Sequence, residues 1–96
     1  MKMTDREQSD SFSTSDLGLA SYLKSRGYSL HRLQLASDDA NRVEFVFCLS
    51  EREGQDLARD YLNRKATTDA LSLVLEMGTL KGLIFRFKNR RNGNGM

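Results

Sequence analysis

The chain has no proline, no tryptophan, one cysteine and one histidine among its 96 residues. Without proline, its turns must rely on Gly, Asn, Asp and Ser. A lone cysteine, Cys48, cannot form an internal disulfide, which favours a reducing, intracellular setting. His31 and Cys48 are the only residues that could make a Cys–His dyad. If Leu33 and Leu35 share a strand face with Phe45 and Phe47, parity puts His31 on that face and Cys48 on the other. Only a bulge would bring them together, so a semi-buried histidine, a small apolar cysteine and no catalytic residue are expected.

Other absences narrow the function further. No apolar run approaches the ~20 residues that span a bilayer. The N-terminal MKMTDREQSDS has no apolar core and carries Asp5, Glu7 and Asp10, so neither a secretory signal nor a mitochondrial presequence is expected, and the location reads as cytoplasmic. The one compact oxygen cluster, Asp38, Asp39 and Asn41, lacks the glycine and closing glutamate of a calcium loop; such residues in turns usually bond their own backbone. Gly78-x-x-x-Gly82 has no Lys-Ser/Thr after it, so it is not a phosphate-binding P-loop, and the dinucleotide fingerprint is missing. No metal and no cofactor are expected.

What is present reads as a single small α+β domain. The hydrophobic share of 39% and charged share of 29% fit a globular chain rather than a disordered one. Residues 1–11 show no period and read as a flexible lead, 12–88 as the domain, and 89–96 as a basic, Gly/Asn-rich tail. In FSTSDLGLASYLKSRGY (12–28), Ser13 can cap a helix with Asp16 at its third position, and Phe12 can staple onto Leu17. Gly27 is placed to end that helix with positive φ, with Tyr28 returning to Leu23. YSLHRLQLA and VEFVFCLS then read as the strands of a two-stranded antiparallel hairpin across SDDANR. Leu30 falls out of phase, which suggests a bulge or a late start. Val46 and Cys48 fall on the outer face.

Ser50-x-x-Glu53 is a capping box for a short helix bearing Leu57, Ala58, Tyr61 and Leu62, ending within 63–65. Thr67 or Thr68 can cap a last, long helix with Asp69 in its first turn. Ala70, Leu73, Met77, Leu80, Ile84 and Phe87 make one helical stripe; Leu71, Leu75, Gly78, Gly82 and Phe85 make a second beside it. A break at Gly78–Gly82 with LIFRF as a third strand is the rival, since each interior glycine costs ~1 kcal/mol; the unbroken stripe favours helix.

The pattern Phe12-x-Thr14-x-Asp16-Leu17-x-Leu19-Ala20-x-Tyr22-Leu23, Gly27, Arg42-Val43-x-Phe45-Val46-Phe47, Tyr61-Leu62-Asn63 and Leu80-Lys81-x-x-Ile84-Phe85 resembles a family of small bacterial and phage domains of unknown function. The resemblance spans about residues 12–87 and rests on structural motifs. It implies the order helix, hairpin, helix, helix and a microbial or mobile-element origin, and no activity.

Charge supplies the functional signal. Residues 1–76 hold 10 Lys/Arg against 13 Asp/Glu, a net −3, whereas 77–96 hold five cations and no acid. Lys81, Arg86, Lys88, Arg90 and Arg91 are therefore candidate phosphate contacts for a nucleic acid, with Phe85 or Phe87 beside Arg86 as a stacking surface. Cations also sit well at a helix C-terminus without binding anything. The competing expectation is a protein-interaction module, a homodimer among the forms it can take, through the hairpin edge with Val46 and Cys48, or through the last helix at Gly78 and Gly82. Close approach there of the helix over 12–26 is the alternative within one chain.

Overall fold

The computed structural model describes residues 11–93, with side chains through Arg90. The expected lead over 1–11 thus falls almost wholly outside the described residues, as do the side chain of Arg91 and residues 94–96.

Six elements follow in order: β1 (Phe12–Thr14), α1 (Leu17–Ser25), β2 (Leu30–Ala36), β3 (Asp39–Phe47), α2 (Glu51–Leu62) and α3 (Ala70–Gly93). The fold is α+β, but the sheet has three strands rather than two. β3 lies between β1 and β2, antiparallel to both. Phe12 does not precede a helix as a staple: it pairs with Phe47, and Ser13 pairs with Val46. The helix cap moves accordingly from Ser13 to Asp16, whose Oδ1 accepts from the Leu19 amide at 3.1 Å. Thr14 Oγ1 accepts from the Asp16 amide at 3.1 Å, tying strand end to helix start.

The local endings are those the sequence indicates. Gly27 has φ 96°; its amide donates to Lys24 O at 3.0 Å, and Tyr28 N donates to Leu23 O at 3.1 Å, a Schellman ending. Ser50 Oγ accepts from Glu53 N at 3.1 Å and starts α2. α2 ends in the same way, but with Arg64 in the left-handed region at φ 62° and Lys65 N donating to Asp60 O at 2.8 Å. Asp69, not Thr67 or Thr68, caps α3: its carboxylate accepts from Ser72 N at 2.8 Å. Thr68 instead shares a 2.7 Å hydrogen bond with Ser25, and Arg26 donates to Thr67 O at 3.0 Å, so this loop is strapped to the end of α1.

The β2–β3 connection is tighter than the polar run suggests. Ala36 pairs with Asp39, which leaves Ser37 and Asp38 as the turn. The out-of-phase Leu30 marks a real bulge: the register shifts between Leu30 and Arg32. His31 sits at that shift and is exposed, not semi-buried on the inner face.

Phe12, Phe45, Phe47 and Leu49 join Leu19, Ala20, Tyr22, Leu23 and Leu80 in one buried cluster, with Leu30 and Leu33 packed against it. The helices therefore cover one face of the sheet. On α2, Gly54 lets Phe12 lie on bare backbone, and a Cβ there would overlap the ring. Gly18 on α1 gives the same clearance to the Tyr61 hydroxyl. α3 runs unbroken through Gly78 and Gly82, so the third-strand alternative for 83–87 does not occur. It also continues past residue 88, taking in 89–93, part of the expected tail.

Candidate nucleic-acid interface

Successive α3 residues step round its axis by about 100°. That rotation splits the cations expected to act together. Lys81 and Lys88 lie on one flank; Arg86 and Arg90 lie roughly 140–180° away on the other. Both lysines are exposed, but they cannot share a small ligand with the two arginines.

Arg86 and Arg90 are brought together with a third arginine that the sequence reading left out. The last turns of α3 and the edge strand β2 together line a cavity of about 270 Å³, formed by Arg32, Leu33, Leu83, Arg86, Phe87 and Arg90. Leu33, Leu83 and Phe87 are half-buried and form an apolar floor; the three arginines are exposed around it. Arg32 owes its position to the bulge, which pairs it with Val46. Its guanidinium donates to Gln34 Oε1 at 3.1 Å, and Gln34 Nε2 donates to Glu44 Oε1 at 3.0 Å. A neutral amide thus braces Arg32, with the Glu44 carboxylate one hydrogen bond further along the same sheet face. Among the described residues, no carboxylate lies within ion-pair distance of Arg32, Arg86 or Arg90; the ion pairs there are Lys24–Glu76, Arg42–Asp38 and Arg59–Asp56.

Three arginines lining one cavity with an apolar floor favour an anion there. Guanidinium groups suit phosphate because they offer paired N–H donors. The aromatic element is Phe87. Phe85, 66% exposed, is not a core rung and lies about 100° from Arg86 round the helix.

The other expected contact residues separate as well. Val46 is only 3% exposed, flanked across the sheet by Ser13 and Arg32, so it offers no outward patch. Cys48 is exposed. Among the described residues, a Cβ at Gly78 would meet no atom within 4 Å, and one at Gly82 only Arg86 Nη1 at 3.8 Å, so α1 does not exploit these glycines for close approach. Among the described residues no three His, Cys, Asp or Glu side chains converge, and no helix is long and apolar enough to cross a membrane. No family model, curated protein or solved structure matches the chain, and the reading of this groove rests on its own residues.

Proposed function

We propose that the protein is a small, non-catalytic accessory binding protein that contacts nucleic acid through the groove of Arg32, Arg86 and Arg90. The observation that carries this is a cavity lined by Arg32, Arg86, Arg90 and Phe87, its three arginines without an ion-pair partner among the described residues. Guanidiniums at the rim take phosphates, while an apolar, aromatic floor takes the face of an unpaired base, so single strands are preferred to duplex. Lys88 and Lys81, on the opposite flank, add general attraction without sharing the ligand. A cytoplasmic role in a bacterial or phage element accords with the family resemblance and the single cysteine.

The test is a salt titration with single- and double-stranded oligonucleotides. Three phosphate contacts give a slope of log K against log salt of about −2 for single strands. Arg86→Ala with Arg90→Ala lowers the slope to about −0.7, whereas Lys81→Ala shifts affinity without abolishing the strand preference. Binding that is indifferent to salt, or undiminished in the double arginine variant, refutes the proposal.

A further inference from the structure

α3 is apolar on two opposite faces, and only one of them is covered. Leu73, Leu80, Leu83 and Ile84 belong to or pack on the core. On the far side Leu71, Val74, Leu75 and Phe85 are 61–66% exposed. They follow one line along the helix, with Gly78 and Gly82 between them. These four side chains present on the order of 500 Å² of apolar surface, a size that marks an interaction site on a small protein. A helix apolar all round belongs in an interior.

We infer that this face is covered by the same face of a second copy, the two α3 helices packing antiparallel about a two-fold axis. A self-complementary contact doubles the apolar area to about 1,000 Å², the threshold of a specific interface, before flanking stems are included. Charge sets the direction. Lys81, Arg86, Lys88 and Arg90 crowd the C-terminal half of α3, which has no acid. Parallel helices would bring two such ends together. Antiparallel helices separate them and set each basic end beside the partner's start, where Asp69 is exposed, and the helix dipoles also oppose favourably.

Centring the crossing at the level of residue 80 sets Gly78 against the partner's Gly82 and Leu75 against the partner's Phe85. Gly78 offers bare backbone where the axes cross, the Arg86 side chain beside Gly82 swings aside, and large side chains fill the space on either side. The glycines, which weaken the helix and serve nothing within the monomer, then have a purpose. Arg86 and Arg90 lie on a flank of the contact, so the two-fold places both grooves on the same side of the pair, about 24 Å apart along the helices.

Sedimentation of the full chain over a wide concentration range tests association. The expected result is a mass of two chains that returns to one in Leu75→Glu, with the circular-dichroism spectrum unchanged. A single-chain mass at the highest concentration, or a Leu75→Glu protein that still pairs, overturns the inference and leaves the face to residues 1–10 or another protein. Orientation is read by disulfide trapping in a Cys48→Ser background. Leu71→Cys mixed with Asn89→Cys cross-links, while Leu71→Cys alone does not, because its two copies lie about 27 Å apart. Self-cross-linking by Leu71→Cys, or none in the mixture, overturns the antiparallel order.

Discussion

Replacing glycine with alanine at two helix-interior sites is expected to change stability in opposite directions. In an open helix the substitution gains up to ~1 kcal/mol, because alanine has less backbone freedom to lose. Gly78 meets that condition: among the described residues its added Cβ meets nothing. Gly78→Ala should therefore stabilise the isolated chain by about 1 kcal/mol, or roughly 4–8 °C in Tm for a domain of this size. At Gly54 the same Cβ overlaps Cβ, Cγ and Cδ1 of Phe12, so a ring flip does not relieve it and the strand itself must shift. Overpacking of this kind costs about 1–3 kcal/mol, and losing the seat of a buried Phe approaches the upper end or beyond. After the propensity gain, Gly54→Ala should lose about 1–2 kcal/mol. Urea denaturation followed by circular dichroism measures both, in a Leu75→Glu background so that association does not contribute. A Gly54→Ala protein as stable as its parent would mean that Phe12 does not lie on Gly54, and the three-stranded sheet would lose its main support.

Arg64 holds a left-handed conformation that glycine adopts freely, so Arg64→Gly should raise stability by about 0.5–1 kcal/mol in the same assay. Leu80 is fully buried between α3 and the core, and Leu80→Ala should cost about 2–5 kcal/mol. Phe85→Ala should leave monomer stability within about 0.5 kcal/mol while reducing association. Hydrogen bonds from Ser72, its backbone amide first, hold the Asp69 carboxyl below its ordinary pKa. A depressed carboxyl stabilises the fold above the unfolded pKa, and that contribution fades as pH falls through the folded one. Acid denaturation should thus be less steep in Asp69→Asn, and a wild-type acid limb identical to the variant's would refute the assignment of Asp69 as the cap.

What could be read from the sequence was mostly local. The Gly27 ending and the Ser50 cap involve residues within five positions of one another, and the chain itself brings such groups together. The start of α1 lies at Asp16 rather than Ser13, and the deciding fact is distant: Phe12 pairs with Phe47. Three residues are too few to show strand alternation. Val46 was assigned to the outward face by parity, but with Ser13 and Arg32 on either side the position is not open. For the groove, the division of lysines from arginines was already contained in 100° per residue. Arg32 was not: it lines the same cavity as Arg86 only because the fold brings the end of α3 to the edge strand β2, which no spacing reveals.

The contact between Phe12 and Gly54 also orders events in time. The ring is synthesised at position 12 and its seat at position 54, so at ~5–20 residues per second several seconds pass between them. During that interval α1 and the β2–β3 hairpin can form from neighbouring residues, while β1 still lacks the helix that holds it down. β1 is made before its seat, and a nascent chain halted before residue 54 carries an uncovered Phe12.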